Sequence, residues 1–264
     1  MITRILTALV LAPLVILLTL YLPTTWYGAI LVLVVAAGLH EWNRLTVDTA
    51  AVFWPGLALV LLIAFVAYAF DGLLVLCFLA AGLWMFHLYD LWRNGMTSPT
   101  RSVMAFAYGV ISLVGAWAAL VYLHGSSDFG PAWTIAAMAV VWAADSCAYF
   151  AGKTWGRHKL APEISPGKTI EGVVGGLVGS GVLAALMGAL LPGGEGVPLW
   201  TWVLASVFAA AVSVGGDLFE SRLKRHAGVK DSGTLLPGHG GILDRIDGLL
   251  PAAPVLVTLL VLLT

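Results

Sequence analysis

Between Lys230 and Pro251 the chain reads KDSGTLLPGHGGILDRIDGLLP, gathering two cations, three carboxylates, a histidine and five glycines. Asp244 and Asp247 stand at i, i+3 with Arg245 between them, at the start of a final apolar run. Oxygen ligands of this kind suit Mg²⁺, which takes one or two carboxylates and completes its shell with water and substrate phosphates. The same two residues could simply cap the last helix and favour its dipole. The preceding PGHGG can expose successive backbone N–H groups, because glycine tolerates positive φ and close approach. Gly240 and Gly241 are therefore candidate phosphate-binding amides. His239, flanked by glycines, could hydrogen-bond a phosphate oxygen or hold the turn.

Two upstream stretches add to this set. In GGDLFESRLKRHAGVK, Asp217, Ser221 and Lys224 fall at i, i+4 and i+7 and share one helix face, with Glu220 and Arg225 beside it. A carboxylate and a hydroxyl leading into a Lys-Arg pair place a cation site next to an anion site. In DSCAYFAGKTWGRHKLAPEISPGKTIEG, Asp145 lies within an apolar segment, where an ionisable group faces a polar cavity or a partner. Further on, SPGKT brings Lys168 to a turn as a point charge suited to phosphate, and Glu171 opens the next helix. This is not a P-loop, since the G-x-x-x-x-G-K-[ST] spacing is absent.

The elements that must position these groups are membrane helices. Of the 264 residues, 60% are apolar and only 10% are charged, against roughly 25% charged in an average soluble domain. Nine segments are long enough to cross a bilayer: 3–21, 26–42, 51–70, 72–89, 102–123, 131–151, 171–191, 198–219 and 249–264. Backbone amides in lipid must be satisfied internally, so the expected fold is an all-α polytopic integral membrane protein with about nine transmembrane helices. All 13 lysines and arginines fall at the N-terminus or in the segments near 43–50, 90–101, 152–170 and 220–248. The positive-inside bias then puts the N-terminus on the cytoplasmic side and the C-terminus on the outer side. Residues 1–130 are expected to form about five N-terminal helices. Residues 131–264 should form the catalytic region, with cytoplasmic loops 152–170 and 220–248.

The two cysteines, Cys77 and Cys147, lie in different helices and read as packing residues. Trp26, Trp42, Trp92 and Trp200 sit near helix ends, as an interfacial aromatic belt requires. The stretch EGVVGGLVGSG has small-xxx-small spacings that allow close helix packing, within the chain or between two copies. The net charge of −1 hides this sorting of basic residues to one side, and no nucleic-acid partner is expected.

Carboxylates, basic groups and a glycine nest at the cytoplasmic ends of membrane helices fit a Mg²⁺-bound polyphosphate nucleotide on one side and a lipid headgroup on the other. No Ser-His-Asp or Cys-His arrangement is apparent, so direct phosphoryl or nucleotidyl transfer is favoured over a covalent intermediate. The run from Ser221 to Asp247, SRLKRHAGVKDSGTLLPGHGGILDRID, resembles the signature of the phosphatidate cytidylyltransferases, and the stretch from Asp145 to Gly172 is similar to that family's second polar region. Lys153 stands where arginine is more usual, and Gly167 where a larger polar residue is common.

The resemblance implies that CTP and phosphatidic acid give CDP-diacylglycerol and pyrophosphate, a step of phospholipid synthesis at the cell inner membrane, with Mg²⁺ and a second cation such as K⁺. It implies Asp217 and Asp244 as metal ligands beside Asp247, and Lys224, Arg225, Lys230, Arg245 and the Gly240 and Gly241 amides as holders of the triphosphate or lipid phosphate. Asp145, Lys168, Ser221 and His239 complete the expected substrate-binding set. The attacking group would be a phosphate monoester with a second pKa of about 6, so a general base is unnecessary. The family also implies a homodimer. Two other readings stay open. A CTP-dependent lipid kinase would release CDP instead of pyrophosphate. A transporter would use Asp145, Asp217 and Asp244 as ion sites, although no inverted repeat joins the chain halves.

Overall fold

The computed structural model describes residues 2–97, 100–194, 196–238 and 240–264. Ten helices and one hairpin follow in order: α1 (Ile2–Tyr21), α2 (Thr24–Thr46), α3 (Ala50–Ala69), α4 (Leu73–Asn94), α5 (Val103–His124), α6 (Gly130–Trp155), β1 (Lys159–Ala161), β2 (Ser165–Thr169), α7 (Ile170–Leu190), α8 (Leu199–His226), α9 (Leu243–Ile246) and α10 (Leu249–Leu263). Among the described residues, eight helices are long and apolar enough to cross a membrane, the last running from Leu243 to Leu263, and α1 contributes a shorter apolar stretch, Leu9–Tyr21. The protein is an all-α polytopic membrane protein carrying one small hairpin.

The centre of the bundle is built by α5 and α10. Every residue of α10 from Leu250 to Thr258 is buried, and α10 packs against α4, α5 and α8. Tryptophan does much of the joining. Trp42, Trp117, Trp133 and Trp202 donate their indole N–H to the carbonyls of Ala105, Gly28, Pro192 and Ala184 at 2.9–3.0 Å. Each large ring thus packs between helices while its one polar atom is satisfied. Trp42, expected in the interfacial belt, is only 1% exposed and belongs to this core, whereas Trp26, Trp92 and Trp200 are exposed.

Two helices outrun a membrane. At 1.5 Å per residue, the 26 residues of α6 and 28 of α8 span about 39 and 42 Å, against a hydrocarbon core of about 30 Å. Their ends therefore reach beyond the bilayer as ordered helix. This changes the extent of the expected loops. Residues 152–155 and 220–226 are helical, and β1 and β2 occupy much of 156–169. The hairpin is antiparallel, pairing Lys159 with Thr169 and Ala161 with Ser165. Ile164, buried at its tip, pins it to the bundle.

The glycine spacings of α7 are used inside the chain. Gly172, Gly175, Gly176 and Gly179 lie against Ala148, Ala151, Ala144 and Cys147 of α6, and a Cβ at Gly176 would stand 2.7 Å from the Ala144 carbonyl oxygen. Helix backbones that approach this closely leave no room for side chains between them. Cys147 therefore packs against Gly179, and Cys77 is fully buried.

Candidate active site

The polar ends of α6, α7 and α8, together with β2, enclose a cavity of about 590 Å³, within the range typical of ligand pockets. Asp145 and Lys153 of α6, Lys168 and Thr169 of β2, Gly172 of α7 and Asp217 of α8 line it. Local chemistry sets this wall. The Thr169 hydroxyl accepts from the Gly172 N–H at 3.1 Å and caps α7. Glu171, in the first turn, accepts from the backbone N–H groups of Arg157 and His158 at 3.1 and 3.2 Å and meets His158 Nδ1 at 2.6 Å. This carboxylate closes the turn that leads α6 into the hairpin. Lys168 is thereby aimed inward, where its ammonium pairs with the Asp217 carboxylate and lies 3.4 Å from the Val214 carbonyl.

One turn further along α8 the charges become denser. Asp217, Glu220 and Asp247 each present an oxygen, all within 4.8 Å of one another. Glu220 is 2% exposed. Lys224 donates to Glu220 Oε2 at 2.9 Å and to Asp244 Oδ1 at 2.6 Å, bridging α8 and α9. Among the described residues, Glu220 Oε1 is buried without a hydrogen-bond partner and lies beside the Asp217 and Asp247 carboxylates. Asp217 pairs with Lys168, and Glu220 and Asp244 pair with Lys224, while Asp145 shares the cavity wall with Lys153 and Lys168. Carboxylates this close repel one another, and a bound cation or a shared proton relieves that repulsion. A hard divalent cation with oxygen ligands fits both the donor set and this Glu220 oxygen.

The structure shows where each expected residue lies. Asp217 and Asp247 are grouped with Glu220, while Asp244 stands beside that group, joined to it through Lys224. Both Asp244 oxygens are engaged, Oδ1 by Lys224 and Oδ2 by the Ser232 N–H, the Ser232 hydroxyl and the Gly241 N–H at 2.8–2.9 Å. The Gly241 amide, expected to hold a phosphate, is thus already occupied by a carboxylate. The Gly240 carbonyl accepts from Leu236 N–H at 2.9 Å, and the φ of +83° at Gly240 shows why glycine is needed there. Ser221 is half-buried and makes no hydrogen bond to the cluster among the described residues. Arg225 is exposed and turns towards the hairpin, with Nε 3.5 Å from the Ile164 carbonyl. Lys230 and Arg245 are exposed on the rim of the same end, and His239 lies outside the described residues.

One buried carboxylate beside the site escaped sequence reasoning. Glu41 of α2, 4% exposed, accepts from Ser232 Oγ at 2.9 Å, Ile242 N–H at 3.0 Å and Leu243 N–H at 2.8 Å. A Cβ at Gly241 would overlap both its carboxylate and the Ser232 hydroxyl, so the glycines of this loop leave room for a carboxylate of the protein itself. Arg222, also buried, pairs with Asp90 of α4 at 2.8 Å, donates to the Gly95 carbonyl at 3.1 Å and stacks 4.9 Å from the Phe219 ring. It ties α8 to α4 and faces away from the carboxylate cluster.

The chain as a whole resembles known proteins. The model of the cytidylyltransferase family matches residues 2–263. Similar proteins include the phosphatidate cytidylyltransferase of Brucella suis, 38% identical over 267 residues that cover 96% of this chain and 91% of that protein. The phosphatidate cytidylyltransferase of Pseudomonas aeruginosa is 38% identical over 276 residues, covering 97% and 96%. That of Bacillus subtilis is 46% identical over 142 residues, covering 53% and 51%. With a match along nearly its whole length, the chain belongs to the cytidylyltransferase family.

Proposed function

We propose that the protein transfers the cytidylyl group of CTP to phosphatidic acid, giving CDP-diacylglycerol and pyrophosphate, at the cytoplasmic face of the cell inner membrane. The observation that carries this reading is the cluster of Asp217, Glu220 and Asp247, with a Glu220 oxygen that no described residue hydrogen-bonds, at the edge of a cavity that also holds Lys153 and Lys168. Such a site has the charge for a cation-bound triphosphate and the location for a lipid phosphate. The phosphate oxygen of phosphatidic acid forms a bond to the α-phosphorus of CTP while the bond from that phosphorus to pyrophosphate breaks. With a second pKa of about 6, the attacking monoester is already anionic near neutral pH. The protein's task is to position two anions and offset their repulsion.

Asp217, Glu220 and Asp247 would hold Mg²⁺, with a second cation such as K⁺ beside them. Bound there, Mg²⁺ would supply Lewis-acid charge that neutralises the triphosphate oxygens. Lys168 is placed to exchange Asp217 for a phosphate oxygen. Lys224 keeps Glu220 and Asp244 compensated, and the exposed Arg225, Lys230 and Arg245 offer charge to the incoming nucleotide or lipid head. In this reading the region 131–264 provides the reacting groups, and 1–130 supports them. All the basic loops face the cytoplasm, with nine crossings in all.

The test uses purified protein in detergent with phosphatidic acid, Mg²⁺ and CTP labelled at the α-phosphate. Label entering a chloroform-soluble liponucleotide with equimolar pyrophosphate is the expected result. Label left in water-soluble CDP, with a lipid alcohol as acceptor, would overturn the proposal in favour of a kinase.

A further inference from the structure

We infer that Glu41 is a positioning residue for the reaction: through Ser232 it fixes the Asp244 carboxylate, and hence the Lys224 bridge, from a helix that touches none of the reacting groups. This inference rests on the cytidylyl-transfer reading. Glu41 sits 191 residues from Ser232 and about 200 from the amides it caps, yet three donors of the 227–242 loop and its exit converge on it. No ion pair compensates it among the described residues, so its charge is held by hydrogen bonds alone. Ser232 Oγ stands 2.9 Å from both Glu41 Oε2 and Asp244 Oδ2. The hydroxyl has a single proton, donated to one carboxylate or shared between the two, so Ser232 links the positions of Glu41 and Asp244.

The chain of contact then runs without a break. Glu41 meets Ser232, Ser232 meets Asp244, Asp244 meets Lys224, and Lys224 meets Glu220 of the three-carboxylate cluster. The loop glycines accommodate the same geometry. A Cβ at Gly233 or Gly241 would collide with the Glu41 carboxylate. Thr7 of α1 adds a second tie from the N-terminal half, donating to the Pro237 carbonyl at 3.1 Å. A carboxylate used only to stabilise the bundle would need no connection to Asp244. This one is a single hydroxyl away from it.

The experiment compares wild type with Glu41→Gln, Ser232→Ala and the double variant. It measures kcat and KM for CTP and phosphatidic acid, the thermal transition, and hydrogen exchange of residues 230–243. Glutamine keeps the length but sets an NH₂ against one of three donors. The positioning role predicts that Glu41→Gln loses about tenfold to a hundredfold in kcat, as small misplacements do, with both KM values within threefold. The transition should be retained, and faster exchange should be confined to 230–243. Because both residues act in one bridge, the double variant should be no more than about threefold worse than the poorer single.

Wild-type kcat in a folded Glu41→Gln protein, losses that multiply in the double variant, or activity that falls only with the folded fraction would each overturn the inference. If Glu41→Gln does not fold, Ser232→Ala carries the same kcat expectation, and normal turnover there overturns it. If wild type itself makes no liponucleotide, the reaction reading is what fails. The exchange data then decide the bridge: unchanged protection of 230–243 overturns it, and selective loss supports it.

Discussion

Glu220 has one oxygen on Lys224 and the other without a hydrogen bond among the described residues, inside a protein that leaves it 2% exposed. Such an atom costs a few kcal/mol unless something is provided for it, and Asp217 and Asp247 beside it make a cation the natural partner. Asp217→Asn should therefore lower turnover at least a hundredfold and raise the Mg²⁺ concentration needed for half-maximal rate, while leaving the thermal transition in place. A titration of rate against Mg²⁺ reads both effects. Lys224 is different, because it balances two carboxylates. Lys224→Met leaves Glu220 and Asp244 without their counter-ion, so it should lose on the order of 3 kcal/mol of stability as well as activity, measured by denaturation in detergent.

Among the elements, the α6–α7 pair is the most demanding. Its contact is backbone against backbone, and it sets the distance between Asp145 on α6 and Lys168 just before α7. Gly176→Leu would force the helices apart at the Ala144 carbonyl. The expected outcome is protein that still inserts in the membrane but loses most turnover, read by comparing membrane yield with specific activity. At the same junction Thr169→Ala removes one cap hydrogen bond and should cost about 1 kcal/mol, seen as a lower thermal midpoint.

The helices themselves were legible as long apolar segments, and the motif from Asp217 to Asp247 was legible because polar residues in oil stand out. The partition of roles within it was not. The spacing of Asp217, Glu220 and Ser221 permits either Glu220 or Ser221 on the shared face, and only the path of α9 selects Glu220. Glu41 was hidden for another reason. In LHEWNRL it looks like one more polar residue at a helix end, and its partners lie some 200 positions away, a pairing that no local pattern encodes. The same holds for Trp42, whose burial depends on Ala105 and Phe219.

At the scale of the whole molecule, the bundle joins a lipid-embedded N-terminal half to a polar site made mainly by the second half. Arg222 with Asp90 fastens α8 to α4, Glu41 fastens α2 to the 227–242 loop, and α10 packs between α4, α5 and α8. The basic hairpin and loop should face the cytoplasm. A cysteine in place of Lys159 should react with an impermeant maleimide only in inverted vesicles, and one in place of Ser127 only in right-side-out cells. The central claim is that this polar end transfers a cytidylyl group to a lipid phosphate. Its most direct test is the rate of α-labelled CTP conversion to liponucleotide in the same membranes carrying wild type or Asp217→Asn. The account predicts rapid conversion by wild type and at least a hundredfold less by the variant at equal protein. Equal rates in the two would contradict it.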